Sequence, residues 1–386
     1  MRIVSLYYFL LYLMASVLLP YTSLHFHERG FSPSSIGYLL SLWAFISVVA
    51  QPVMGMLNDR LQRPRAVLLL TAIATPAAGL LFYLADAFAV IVVVSILFAW
   101  FQSSLPPLSD AVAVEIGRRK GFSFGSVRLW GALSYAIGAF VTGFYYEKNG
   151  YDAVFVVYAL TALPLIAAIF ILPVTKAASM RITVFEQMGD VVRNKPFLLF
   201  CLISFLTMLS VTASATFLPI YFDEQGFDKR YLGTAIALAA LIEVPMFWIA
   251  ARLGAKFGKS KLLAAAAALY ALKYIILSLT SNVYVTLSTQ LLDGIAFAFF
   301  AGLSVEIVDG LASDKTKATL QTIFAAVTWG IGGIAGNLLG GGLVELRGVS
   351  FMYLLLFVLC GGSAVLYLWT KAEKSGKQLA GEADGM

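Results

Sequence analysis

The chain carries one pattern twice. Gly30-Phe31 followed by Ile36-Gly37 returns 196 residues later as Gly226-Phe227 followed by Leu232-Gly233. The basic turn Asp59-Arg60-Leu61-Gln62-Arg63-Pro64-Arg65 returns, degraded, as Ala255-Lys256-Phe257-Gly258-Lys259-Ser260-Lys261, and Trp130-Gly131 returns as Trp329-Gly330. In a chain of 386 residues such a repeat describes two similar halves joined end to end. Whatever one half folds into, the other must be able to fold into as well.

Both halves are mostly apolar. Apolar residues make up 60% of the chain and charged residues 12%, with a mean hydropathy of +0.86, far from the balance of a soluble domain. Apolar windows of about 20 residues, each long enough to cross a hydrocarbon core of about 30 Å, recur along the whole length. Twelve are read: about 5–25, 34–57, 66–86, 88–112, 126–146, 152–173, 196–221, 231–251, 262–281, 284–308, 319–343 and 350–370. Backbone groups in lipid must bond within their own segment, so these are helices. The two-residue alternation of a membrane barrel is absent. The expected fold is an all-α integral membrane protein of 12 transmembrane helices, arranged as two pseudo-symmetric six-helix bundles. Residues 1–173 form the first bundle, 174–195 a cytoplasmic linker, 196–371 the second bundle and 372–386 a disordered cytoplasmic tail. The first window reads as a retained span rather than a cleaved signal, since it is long and lacks an A-x-A site.

The formal net charge of +6 is a topology signal and not a nucleic-acid signal. Arg60, Arg63 and Arg65, then Arg118, Arg119 and Lys120, then Lys176, Arg181, Arg193 and Lys195 fall in alternate loops. So do Arg252, Lys256, Lys259 and Lys261, then Lys315 and Lys317, and the tail residues Lys371, Lys374 and Lys377. The opposite loops hold only Arg29, Lys148, Lys229, Arg230 and Arg347. By the positive-inside rule both termini are cytoplasmic, in a multi-pass protein of the inner membrane. Cys201 and Cys360 lie inside apolar windows and read as small hydrophobes. No P-loop, dinucleotide fingerprint or zinc motif is present, and His25 and His27 lack a third ligand in view. Neither an enzyme nor a cofactor is expected.

Ionisable residues at bilayer depth are costly and default to function. Asp110 lies eight residues before Arg118, and Arg128 eight after Lys120. At 1.5 Å per residue both sit roughly 12 Å from the basic loop, on adjacent antiparallel helices, and can meet. The pair reads either as a substrate site, its guanidinium fork gripping hydroxyls or a carboxylate, or as a structural ion pair that fixes helix register. In the second half Lys273 and Asp293 share a depth on neighbouring helices, and Glu243 lies nine residues before Arg252. Burial raises a carboxyl's pKa and a nearby cation lowers it. Asp293 beside Lys273, and Glu243, therefore qualify as proton carriers, with structural pairing as the alternative. Asp309 reads as a helix-end charge near Lys315.

Six plus six helices with this loop pattern resemble the major facilitator superfamily. The turn Gly55-Met56-Leu57-Asn58-Asp59-Arg60-Leu61-Gln62-Arg63-Pro64-Arg65 resembles its signature G-x-x-x-D-x-x-G-x-x-R, with Gln62 in place of the second glycine. The resemblance implies a gating role for Gly55, Asp59, Arg60, Arg63 and Arg65, which would brace the inside-closed gate; the second copy has Ala255 where the first has Asp59. Asp110, Glu115, Arg118-Arg119, Phe122-Ser123-Phe124-Gly125, Arg128, Gly131 and Gln51-Pro52 follow the lactose permease pattern. The stretch Phe124 to Gly131 also looks like the phenylpropionate permease and nucleoside:proton symporter branches. By that resemblance Asp110 and Arg128 hold substrate, Tyr135 stacks on it, and Lys273 matches in position a cavity-facing ninth-span arginine. The tenth-span His and Glu of the lactose permease have no match in Gln290-Leu291-Leu292-Asp293. First-, fifth- and eleventh-span residues line the cavity in this superfamily, which brings in Tyr12, Trp130, Tyr135, Trp329 and Asn337. Tyr7 reads as interfacial belt, and Tyr8 as belt or cavity.

The function expected is secondary active transport: proton-coupled uptake of a small polar solute such as a sugar or nucleoside, by alternating access about a site where the repeats meet. Proton-coupled efflux of amphipathic drugs and uptake of a small aromatic acid are the alternatives. Partners are then a small-molecule substrate, protons and membrane lipids, with no nucleic acid. The energy source is the proton gradient, and the chain is expected to act as a monomer. Gly332, Gly336 and Gly340 read as tight packing within a bundle before they read as a dimer face.

Overall fold

The computed structural model describes residues 1–174, 194–313 and 316–369. The linker residues 175–193 and the tail from 370 onward lie outside the described residues, and with them Lys176, Arg181, Arg193, Lys315, Lys371, Lys374 and Lys377 of the topology argument. All regular structure among the described residues is helical. The spans are α1 (Arg2–Glu28), α2 (Pro33–Leu61), α3 (Pro64–Leu84), α4 (Phe88–Lys120), α5 (Phe124–Asn149), α6 (Val154–Ile171), α7 (Lys195–Glu224), α8 (Lys229–Phe257), α9 (Lys259–Leu279) and α10 (Val283–Leu311). A final continuous run bends at Gly348, whose φ of 80° and ψ of 169° are not helical. It therefore holds two helices, α11 (317–347) and α12 (349–369).

Local chemistry sets the ends. Ser32 precedes Pro33 and its hydroxyl accepts the Ser35 N–H at 3.3 Å. Ser123 caps α5 in the same way through Ser126. Asn282 Oδ1 accepts from Tyr284 and Val285 at the start of α10. Each cap satisfies a first-turn donor that the helix itself cannot. Gly121 ends α4 in the left-handed region (φ 71°). Pro20 breaks α1 with a 3₁₀ turn at Leu19–Tyr21, while Pro52, Pro106, Pro107 and Pro219 stay inside helices. The outer faces are apolar: Leu160, Leu163 and Phe170 of α6 are each 60% exposed. Water would make those faces an aggregation hazard; lipid makes them ordinary.

Contacts divide the chain into two compact units. One comprises Met1–Met180 with Thr216–Ala240, the other Arg181–Ala215 with Leu241–Met386. In the first, α1 packs on α5 and α6, and α2 and α3 pack on α4. In the second, α9 packs on α10 and on the Gly332–Trp369 run. Gly332 and Gly336 press against α7 at Leu209, so these two glycines of the small-residue stripe serve packing inside this unit. A π-helical segment at Ala326–Ile331 interrupts α11 just before it, a deviation often found at functional sites.

Gln62 follows α2 at φ 52° and ψ 29°, as the one non-glycine residue with positive φ among the described residues. This is the position where the superfamily signature has glycine. Only glycine enters that region without a Cβ clash. Gln62 offsets part of the strain by donating Nε2–H to the Asp59 carbonyl at 2.7 Å. Gln62→Gly should therefore relieve about 1 kcal/mol of strain and raise the melting temperature of the detergent-solubilised protein. Gln62→Ala keeps the strain, loses the hydrogen bond and should lower it.

Candidate functional site

In the first unit, α4 and α5 run antiparallel and carry Asp110 and Arg128 to the same depth. Arg128 Nη1 lies 3.6 Å from Asp110 Oδ2. The contact uses one nitrogen of the fork, and the two side chains are 55% and 34% exposed, so a ligand can reach both. α1 completes the group. Tyr8 is buried and donates its hydroxyl to Asp110 Oδ1 at 2.5 Å. One turn on, Tyr12 stacks on Tyr8 with ring centres 6.1 Å apart and presents its face to Arg128, whose Cζ lies 5.9 Å from the ring centre. Phe124 flanks the guanidinium from the other side at 6.0 Å. The sequence makes room for this: a Cβ on Gly131 would stand 2.6 Å from the Tyr12 ring. The result is a carboxylate and a guanidinium that neutralise each other beside two aromatic faces. Such a set can grip hydroxyls on one edge of a molecule and stack against its flat side.

Tyr7, read from sequence as interfacial belt, is instead 1% exposed and hydrogen-bonded to Ser109 Oγ at 2.6 Å. It turns into the α1–α4 contact because the helix rotation that points Tyr8 at Asp110 carries its neighbour inward. Tyr135 lies two turns beyond Arg128 on α5, half-buried and in the field of the Tyr21 hydroxyl.

The second unit holds a different arrangement. Lys273 on α9 is nearly sealed (side chain 3% exposed) and donates Nζ–H to Asp293 Oδ1 of α10 at 2.6 Å. Asp293 is 27% exposed, so the carboxylate faces open space and the ammonium sits behind it. Glu243, half-buried on α8, and Asp293 both act electrostatically on the buried Tyr270. Asn337 is 5% exposed on α11, next to the α7-packed Gly336.

The turn from Gly55 to Arg65 makes few side-chain contacts among the described residues. Among the described residues Asp59 has no ion-pair partner, and a Cβ at Gly55 would meet nothing within 4 Å. Arg65 Nη2 donates to the Leu172 carbonyl at 2.6 Å. Arg63, Arg65 and Arg119 border an open basin of about 750 Å³. Arg60 is exposed beside it. Asp309 meets Lys317 at 3.4 Å at the surface, in keeping with a helix-end charge.

One group was not singled out by sequence reasoning. At the loop end opposite the basic turns, the first residues of α8 and the last of α7 seat on the first six helices. Lys229 bonds to Glu28 and lies 4.4 Å over the Tyr151 ring. Arg230 reaches Glu147 at 3.6 Å and Asp228 at 2.9 Å. His27 Nε2 faces Asp223 at 3.8 Å, while His25 bonds to the Tyr151 carbonyl at 2.9 Å. Beneath these charges Gly233 of α8 touches Gly143 of α5: a Cβ on Gly233 would stand 2.9 Å from Gly143 Cα and from the Tyr21 hydroxyl. Burial beside Glu28 and Asp223 pushes the Tyr151 phenol up, so it stays protonated. The signal was the repeated Gly-Phe and Ile/Leu-Gly pairs, whose second glycine in the second copy is Gly233.

Comparison with known proteins places the chain in a family. The MFS_1 like family matches residues 1–355. The chain is 26% identical over 373 residues to a maltose permease of Geobacillus stearothermophilus, covering 96% of this chain and 94% of that one. It is 24% identical over 256 residues to a probable 3-phenylpropionic acid transporter of Escherichia coli (strain K12), covering 65% and 67%. Among solved structures, the nucleoside transporter NupG superposes with a TM-score of 0.84 at 16% identity, over 96% of this chain and 98% of that one, a likeness of fold. Transporters of this kind need no cofactor and draw on an ion gradient. The chain belongs to the MFS_1 like family of the major facilitator superfamily, and is a multi-pass membrane transporter of a small molecule rather than an enzyme.

Proposed function

We propose that the chain takes up a neutral hydroxylated solute, a sugar or a nucleoside, together with a proton, by alternating access. One observation carries the reading: two charge pairs of different character occupy the two units. Asp110 and Arg128 are accessible, mutually neutralised and flanked by aromatic faces, which suits a neutral solute that offers hydroxyls. Lys273 and Asp293 are tighter and deeper, which suits a carboxylate whose proton affinity changes with its surroundings. The relative acting on maltose supports the solute class. Glu243 is the second proton carrier to test, and Tyr12, Tyr135 and Asn337 complete the substrate contacts. Termini on the cytoplasmic side, the inner membrane and a monomeric state belong to the same reading.

In this cycle Arg128 donates to solute hydroxyls and Asp110 accepts, its other oxygen steadied by Tyr8. Asp293 takes the proton. The contacts of Glu28 with Lys229, Glu147 with Arg230 and His27 with Asp223 must part for loading from the outer side. Exposed ion pairs are worth about 0–1 kcal/mol each, weak enough to break within a transport cycle. Closure of the inner side would then engage Gly55 and Asp59 with the arginines of the turn. A second reading, an aromatic carboxylate as solute, has one observation in its favour: Arg128 spends a single nitrogen on Asp110 and keeps the rest of its fork.

The test is uptake by proteoliposomes under an imposed inward proton gradient, with labelled maltose, uridine and 3-phenylpropionate. Gradient-stimulated uptake of maltose or uridine is expected. Asp293→Asn should abolish the stimulation yet retain exchange, and Asp110→Asn should lose uptake altogether. Stimulation by the gradient in Asp293→Asn equal to the parent would contradict the proton assignment, and uptake of 3-phenylpropionate alone would select the second reading. Arg128→Lys should weaken binding about tenfold, or about 1.4 kcal/mol, because a single ammonium cannot replace the fork. Unaltered affinity in a folded Arg128→Lys variant would remove Arg128 from the site. Gly233→Val forces α8 away from α5, so a cysteine at Ala139, buried beside Gly233, should be alkylated at least tenfold faster in that background.

A further inference from the structure

Lys273 is a buried ammonium with three N–H donors and, among the described residues, one hydrogen-bond acceptor, Asp293 Oδ1 at 2.6 Å. If Asp293 takes a proton, its charge vanishes and the ammonium is left as a lone cation in a dry interior. That state is strongly disfavoured unless other groups turn to the ammonium. Two tyrosines of α9 can do so. Tyr270 and Tyr274 lie on the same helix, three residues before Lys273 and one after it, each at most 1% exposed. Their rings stack 6.1 Å apart, and Lys273 Nζ lies 5.9 Å from the centre of the Tyr274 ring. The Tyr274 ring in turn stacks on Tyr353 of α12 at 5.9 Å. Among the described residues, neither the Tyr270 nor the Tyr274 hydroxyl has a hydrogen-bond partner.

Buried hydroxyls are rarely left unbonded, and each exception asks for a reason. Two such hydroxyls lie on the helix that carries the buried ammonium, one of them on the ring beside its Nζ, and each phenol oxygen can accept an N–H. Resting on the proposal that Asp293 carries the proton, we propose that Tyr270 and Tyr274 are positioning residues that receive the Lys273 ammonium when Asp293 is protonated. The step is one of hydrogen bonds. The proton arrives on the Asp293 carboxylate, the N–H···Oδ1 bond breaks, and an N–H···Oη bond forms. Lys273 and both phenols keep their own protons throughout. The other groups facing this cluster are Glu243 on α8, Ser210 on α7, and Cys360 and Tyr353 on α12. Of these Glu243 alone is a second carboxylate. The tyrosine pair thus makes the protonated state of Asp293 affordable, and without it the same proton must be driven on at lower pH.

Tyr270→Phe, Tyr274→Phe and the double variant remove only the hydroxyls. A merely structural role predicts unchanged or higher thermal stability, because an unbonded buried hydroxyl contributes nothing to lose, and an unmoved pH profile. The proposal predicts unchanged stability, intact solute exchange at fixed pH, about tenfold lower gradient-driven accumulation in the double variant, and a pH profile of uptake moved about one unit towards acid. A double variant with the parent's accumulation and pH profile, alongside an Asp293→Asn variant that has lost gradient stimulation, would overturn the tyrosine role and leave proton symport standing. A gradient response retained in Asp293→Asn would overturn the reading beneath it. Should the double variant fail to fold, the single Tyr274→Phe decides: the parent's accumulation and an unmoved pH profile in that folded variant would overturn the proposal.

Discussion

A charge carried into a bilayer must bring its counter-charge with it, and each of the two units meets that requirement internally. Asp110 and Arg128 come from antiparallel neighbours that share one basic loop, and Lys273 and Asp293 from α9 and α10 across the opposite loop. Each pair joins neighbouring helices that leave a shared loop, so the two charges reach comparable heights and can meet. The aromatic residues then settle around the charges. Tyr8 and Tyr12 turn to Asp110 and Arg128, and Tyr274 lies beside Lys273.

The two pairs differ in what surrounds them, and that difference separates their chemistry. Arg128 is half exposed and, among the described residues, makes one loose ion pair beside two aromatic rings, so its remaining donors are available to a solute. Lys273 has almost no exposure, so it can act only on groups already inside the protein. Elsewhere the chain holds its elements in place with weak contacts and steric allowance rather than with strong bonds. Gly143 and Gly233 let α5 and α8 touch, and a few surface ion pairs lie over them. Contacts of that strength suit surfaces that separate and re-form.

Much of the fold was legible because lipid removes alternatives: an apolar run of span length has to be a helix. The depth arithmetic that joined Asp110 to Arg128 and Lys273 to Asp293 worked for the same reason. Rotation about the helix axis was not legible. Sequence spacing puts Tyr8 and Tyr12 on one face but does not say which face, so Tyr7 was read as belt when it is packed on Ser109. The unbonded hydroxyls of Tyr270 and Tyr274 were invisible, since a tyrosine in an apolar run looks like any other aromatic residue. The seating of residues 216–240 on the first six helices was hidden by the repeat itself, which assigns them by symmetry to the second half. Gln62 was visible as a departure from the glycine of the signature, but its left-handed backbone shows why that glycine is there.

In the proposed cycle solute and proton are held by different charge pairs. Equilibrium binding of the accepted solute to detergent-solubilised protein, measured by calorimetry from pH 5 to 9, tests it directly. The parent should bind more tightly as pH falls. Asp293→Asn, fixed in the neutral form, should bind tightly at every pH, and Asp110→Asn should bind weakly while keeping whatever pH dependence remains measurable. A pH dependence that persists in Asp293→Asn and vanishes in Asp110→Asn would contradict the account and move the proton to the Asp110 pair.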